Sequence, residues 1–472
     1  MSYIPIQLNA DRRWRTAMSA QRVQNWMADP LPAEANKPVR ARLIPTPGRT
    51  SRVDLGAEVQ GIFRENGVRN GDLFAVAGDT LHSISSAWSA TSIGAIGGTG
   101  DAVFDGLRDA LYVARNAKPW RWNGSALTQV GDIDAPDLAT FIVLSQRIFG
   151  AEANSDTLFW SATLDGTSWE ALGFATAEQR PDVVRKMLRV SGQALIGGAS
   201  GIEIHRATGN STLPFANVTA SSIEETEGLL SNQAAARRGD KYYLIGGNRV
   251  AYMMSGFAVT PLPRNGELEE DLAALSEADR LLVSTFAYSD GARDFFVVRP
   301  PGRHAYVCDV STGIWHTRKS WGYDIYRPKF HTKAYGYDVV ADEGGTAIYT
   351  LDHGVYSDAG GVIERVATLK IAINQPEAIG SLCLDLQAFG RPASGQGSAP
   401  KLMIDISTDG RSDRDDSHAE IMLDIGPDGT FEKPTLWGLG DVSPGEGMTI
   451  TLRLTDPIGL SLMGAWVNEG QK

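Results

Sequence analysis

Leu73-Phe-Ala-Val-Ala-Gly78-Asp79-Thr80-Leu-His82 joins an apolar run to a second run through a Gly-Asp pair. Gly and Asp tolerate the positive φ of tight turns, so the stretch reads as a β-hairpin. Runs of the same kind recur at Leu111-Tyr-Val-Ala, Ile148-Phe-Gly, Leu195-Ile-Gly, Tyr243-Leu-Ile, Phe295-Phe-Val-Val and Ile348-Tyr-Thr. Their partners begin near Pro119, Thr157, Ile202, Val250, Ala305 and Val355, after turn formers such as Asn116, Gly246-Gly247-Asn248 and Asp352-His353-Gly354.

The first runs are spaced 38, 37, 47, 48, 52 and 53 residues apart. Four-stranded propeller blades repeat at about 40–50 residues. A lone blade cannot bury both of its faces, whereas blades packed radially cover one another. The spacing predicts about seven blades over 53–364. The anchors are flexible, so six or eight blades and a plain β-sandwich array stay open. A segment near Arg40–Leu55 is expected to add a strand to the last blade, because a closed ring removes exposed edges.

Beyond Arg365 the pattern changes to alternating runs, among them Leu402-Met-Ile-Asp-Ile and Met448-Thr-Ile-Thr-Leu-Arg-Leu, which indicate a small β-sandwich. The expected fold is therefore all-β, a β-propeller with an appended C-terminal β-sandwich. Its divisions are 1–52 (basic arm and closing strand), 53–364 (propeller) and 365–472 (sandwich). Two helices are expected. Glu267 to Asp279 places Leu268, Leu272 and Leu275 at i, i+4 and i+7 behind an acidic first turn. Asp11 to Ala28 sets Trp14, Met18, Val23 and Trp26 near one face.

Composition narrows the function. Among 472 residues there are 51 Gly and 22 Pro, which fits a body rich in turns. Hydrophobic residues make up 42%, enough for a large core, and two cysteines, Cys308 and Cys383, cannot frame a disulfide scaffold. Met1–Gln7 carries neither a basic nor an apolar region of a secretory signal, and the uncharged run Thr80–Gly100 is rich in Ser, Thr and Gly. No membrane insertion is expected. The net charge is −12, yet residues 1–52 hold nine Arg or Lys against three acids, which leaves −18 on the rest. An acidic body argues against coating nucleic acid, where basic side chains dominate binding. The basic arm can meet an acidic partner or DNA, or it is simply solvated.

Catalytic patterns are absent. The seven histidines are scattered, with no H-E-x-x-H, no zinc spacing and no Walker loop. Ser200 in Gly197-Gly-Ala-Ser-Gly201 lacks the nucleophile-elbow frame, and Asp413-Arg-Asp-Asp416 lacks calcium-loop alternation. Ser161-Ala-Thr-Leu-Asp165-Gly-Thr-Ser-Trp169 resembles the Asp-box hairpin of sialidase-like propellers, and Ser407-Thr-Asp409-Gly410 repeats it faintly. In those proteins the box is a folding device. No spacing marks the paired carboxylates that glycoside hydrolysis requires. No catalytic residue, cofactor or metal is expected.

Gln21-Arg-Val-Gln-Asn-Trp-Met-Ala-Asp-Pro-Leu-Pro, with Ile44-Pro-Thr-Pro-Gly48 after it, resembles the opening of the packaged-DNA-stabilisation (tail hub) proteins of short-tailed bacteriophages. Tyr306-Val-Cys-Asp309-Val-Ser-Thr312-Gly313-Ile-Trp315-His316 is similar to a second motif of that family, and Ile196-Gly-Gly-Ala-Ser-Gly-Ile-Glu-Ile to a third. The resemblance runs over most of the chain and is weakest after residue 365. It implies a virion protein that forms a homohexamer below the portal and its adaptor ring. Such a ring would continue the DNA channel, hold the tail needle or tail tip, border a tailspike or fibre and retain the packaged genome. DNA would pass through the lumen without sequence recognition. Arg12, Arg13 and Arg15 are the expected docking residues, because clustered guanidinium groups match carboxylates and phosphates. The competing class is a glycan-binding or sialidase-like propeller tail component.

Overall fold

A computed structural model describes residues 2–4, 22–30, 41–176, 182–218, 223, 226–371, 377–407, 417–422, 430–442 and 448–468. Within them seven four-stranded antiparallel units follow one another along the chain, six as separate sheets and one as part of a nine-stranded sheet. These are blades 1 (59–95), 2 (103–129), 3 (138–176), 4 (184–217), 5 (235–261), 6 (284–318) and 7 (328–352). Their first strands neighbour one another around the middle of the molecule, and buried side chains fill the spaces between blades. Phe149, Trp160 and Phe215, for example, pack between blades 3 and 4.

The ring closes as expected. Gly48–Asp54 forms the fourth strand of blade 7, antiparallel to Ala347–Asp352, with Asp352 opposite Gly48 and Ala347 opposite Asp54. This also corrects the seventh hairpin. The expected pair began at Ile348 and Val355, but the actual hairpin joins Tyr337–Asp342 to Ala347–Asp352. Ile348 stands on its second arm, because the partner that follows it comes from the N-terminal segment rather than from downstream sequence. Val355 instead lies in the loop that crosses Gly48.

Two further sheets face each other around a core of Trp26, Leu43, Leu384, Leu402, Ile450 and Leu462. One contains Glu377–Phe389, Gly459–Val467, Thr435–Val442 and Thr430–Glu432, extended by Ala41–Pro45, Trp26–Pro30 and Ser2–Ile4. The other contains Arg365–Ile371, Met448–Leu454, Lys401–Ser407 and Ser417–Met422, and is continuous with blade 6. The link is Val23–Gln24, whose Gln24 pairs in parallel with Thr317 of blade 6 and antiparallel with Val366. Pairings therefore cross residue 52, and the segment before Gly48 belongs to the sandwich sheets.

The helix expected over Asp11–Ala28 is not formed in its described part. Val23–Gln24 and Trp26–Pro30 are strands, and Asn25 between them has φ 55. Burial decided against the helix: Trp26 is fully buried in the sandwich and donates its Nε1–H to the Leu460 carbonyl at 3.0 Å. Residues 11–21 lie outside the described residues. The second helical expectation holds, as α1 (Gly266–Ala274) and α2 (Glu277–Arg280).

Candidate docking surface and a bridged propeller channel

The expected docking residues Arg12, Arg13 and Arg15 lie outside the described residues, as do Asp413–Asp416. The nearest described residue of the arm, Arg22, borders a cleft of about 390 Å³ with Glu267, Asp271, Arg303, His304 and Lys319. Local sequence builds its wall. Asn265 caps α1 by accepting the Leu268 N–H at 2.9 Å, Glu267 and Glu269 face the positive end of the helix dipole, and Leu268 and Leu272 are buried. Asp271, beside that buried face, accepts the Tyr306 hydroxyl at 2.7 Å and pairs with Arg303. Burial, followed by the charge of Glu267, pushes the Tyr306 phenol well above its ordinary range. An adjoining cleft is lined by Lys319, Trp321, Tyr323 and Asp324. Trp321 and Tyr323 are half exposed, and Arg327 stacks on Tyr323 at 4.8 Å. Leu281 and Leu282, at the end of α2, are exposed as well. Charges of both signs thus line these two clefts beside exposed aromatic side chains.

The family-like and Asp-box motifs are structural devices. Asp309 takes two guanidinium bonds from Arg293, at 2.6 and 2.9 Å, and also holds the Ser311 amide and the Thr312 hydroxyl. Gly313 has φ +73 and lies so close to Pro263 that a Cβ would meet its ring at 2.7 Å. Trp315, buried, donates to the Pro263 carbonyl at 2.7 Å. The Thr-Gly-x-Trp run thus fastens blade 6 to the loop that starts α1. In the Asp box, Ser161 Oγ accepts the Ile148 amide, Asp165 accepts the Thr167 amide and hydroxyl, and Trp169 packs down and donates to the Gly166 carbonyl. Those Thr167 bonds hold the Asp165 carboxyl below its usual range.

Sequence reasoning missed the propeller channel, where polar contacts connect blades across the middle. Where the inner strands begin, Lys329 of blade 7 reaches Asp101 at 2.9 Å, and Gln233, just before blade 5, bonds the same carboxylate. Lys186 of blade 4 donates to the Ala235 carbonyl at 2.8 Å; desolvation lowers its pKa to about 8, against the pull of Asp101. Where the inner strands finish, Arg189 of blade 4 pairs with Glu65 at 2.7 Å, beyond blade 1, and with Asp105 of blade 2 at 3.5 Å. Burial raises the Asp105 carboxyl to about 6 despite Arg189 and two backbone amides. These partners stand up to 228 positions apart, so no spacing announced them. Among the described residues no cluster of three His, Cys, Asp or Glu suits a metal ion, and no helix is long and apolar enough to cross a membrane.

Seven blades closed by an N-terminal strand, bridged through the middle and joined to a sandwich, define a β-propeller protein with an appended domain. The family model described as "Bacteriophage P22 Gp10, beta-propeller" matches residues 30–356. The chain belongs to this phage family, which stabilises packaged DNA. The match takes in all seven blades and the closing strand and stops before Arg365. No curated protein matches the chain. Similar solved structures include BamB from Moraxella catarrhalis (11% identity, 66% of this chain and 97% of that one, TM-score 0.38). Others are U3-55K (8%, 65% and 99%, 0.38) and YCF48 bound to D1 peptide (12%, 68% and 97%, 0.40).

Proposed function

We propose that the chain is a non-enzymatic tail hub of a phage virion, a ring of copies below the portal and its adaptor that retains the packaged genome until ejection. The family match over residues 30–356 carries this reading. The bridged channel supports it: Lys329–Asp101 and Arg189–Glu65 cross the middle of the propeller, where a polymer would otherwise have to thread. DNA would run instead on the axis between copies, past an acidic body to which its phosphates do not adhere. A homohexamer, the adaptor ring, a tail needle or tip and a tailspike or fibre are the proposed partners. The cleft beside α1 and the adjoining one, with exposed Trp321 and Tyr323, are the described surface best suited to them. A phage carrying a nonsense mutation in this gene should package DNA and then lose it, and supplied protein should restore retention. Mutant particles that keep their DNA without the protein would reject the hub role.

A further inference from the structure

The junction of propeller and sandwich encloses two arginines without an acidic partner. Arg318 ends blade 6 and Arg365 begins the sandwich, with 3% and 0% of their surfaces exposed. Gln24 pairs with Thr317 on one side and Val366 on the other, so Arg318 and Arg365 flank Asn25 on strands two apart, about 10 Å between Cα atoms. The Asn25 side chain locks this spacing by donating to the Lys319 and Glu364 carbonyls at 2.9 and 2.7 Å. The charge of Arg318 acts on Arg365, so the two guanidinium groups are electrostatic neighbours. Arg318 Nη2 donates to the Pro47 carbonyl at 2.8 Å and Arg365 Nη2 to the Tyr356 carbonyl at 3.1 Å. Those carbonyls belong to segments tied together by the Gly48 N–H to Val355 and the Arg49 N–H to Ser357.

The other nitrogens face inward unsatisfied. Nε and Nη1 of both arginines lack a well-aligned hydrogen-bond partner, and so does His316 Nε2; the buried Tyr288 hydroxyl lies close to Arg318. Tyr326 stacks under Arg318 at 4.5 Å, covering one face and leaving the edge free. The nearby carboxylates are engaged elsewhere. Arg49 pairs with Asp342 and Asp358, Arg293 holds Asp309, His353 lies 3.2 Å from Asp290, and Glu364 meets Gln24 and Arg453. Burial and the charge of Arg318 lower the Arg365 pKa to about 10, which still leaves Arg365 charged at neutral pH. Water could satisfy the hydrogen bonds but not two buried charges.

We propose that a single small inorganic anion of the halide class, chloride in the cell, is held between Arg318 and Arg365 and clamps the closing strand to the sandwich. Full burial of both arginines favours a small monovalent ion over a phosphate, whose larger charge costs more to desolvate. Crystals grown with bromide in place of chloride should give an anomalous peak between the two guanidinium groups. In solution, the unfolding midpoint of the intact chain should rise by a few degrees from gluconate to chloride at matched ionic strength. Arg365→Met, or Arg318→Gln should that variant fail to fold, should abolish the difference. Absence of a bromide peak together with equal midpoints in both salts would overturn the anion site and leave bridging water in its place.

Discussion

Asp309 illustrates how one carboxylate can organise a motif. It is 1% exposed and serves Arg293, Ser311 and Thr312, while Arg293 also reaches Asp29 and the Ala28 carbonyl in the N-terminal segment. Removing one partner of a buried pair leaves the other charge uncompensated, so Asp309→Ala should cost about 3–5 kcal/mol in urea unfolding. Seven residues on, His316 is buried, and desolvation, then Arg318 and Arg293, draws its pKa down to about 3. The folded state therefore binds this proton less readily than the unfolded chain, whose value is near 6.5. The contribution of His316 to stability is fully present above pH 6.5 and is lost as pH falls toward 3, by roughly 1.4 kcal/mol per unit. His316→Gln should flatten that part of the stability profile relative to wild type, as followed by denaturant unfolding between pH 4 and 7. Parallel profiles would show that the imidazole is not held neutral.

At the scale of elements, closure of the ring depends on how near the 48–54 strand can approach the 352–358 loop. A Cβ at Gly48 would stand 2.3 Å from the Val355 oxygen and 2.6 Å from the Ser357 oxygen, both fixed backbone atoms. Gly48→Ala should therefore destabilise the chain by about 1–3 kcal/mol. Gly131→Ala, with nothing within 4 Å of its added Cβ, should change stability by less than about 0.5 kcal/mol. Equal melting temperatures for the two variants would mean that the crossing relaxes freely. The hairpins of blades 1–6 were legible because a turn and its two strands are contiguous. That of blade 7 was misassigned by one strand, since its outer member is some 300 residues away and leaves no local mark.

For the whole molecule, the expected dock is electrostatic. Arg12, Arg13 and Arg15 concentrate positive charge on a chain whose remaining 420 residues carry −18 beyond residue 52. Reversing all three to Glu should leave the propeller's melting temperature unchanged but weaken assembly with the adaptor ring, most strongly at low salt, where screening is least. Sedimentation of the complex over a salt series provides the measurement. Normal assembly into particles that retain DNA would make the arm a solvated tail while leaving the hub role standing.

Repeated short-range hairpins, the capped amphipathic helix at 266–274 and the alternating runs after 365 were determined by the sequence itself, because each depends on residues a few positions apart. Tertiary structure decided the rest. Trp26 reads as part of a helical face, yet the sandwich core claims it for a strand, since burying an indole outweighs local helix propensity. The channel bridges at Asp101 and Asp105 join residues from distant blades, and Arg318 and Arg365 meet where blade 6 runs into the sandwich. Ordinary charged residues acquire those roles only when ring closure brings them together and removes their water.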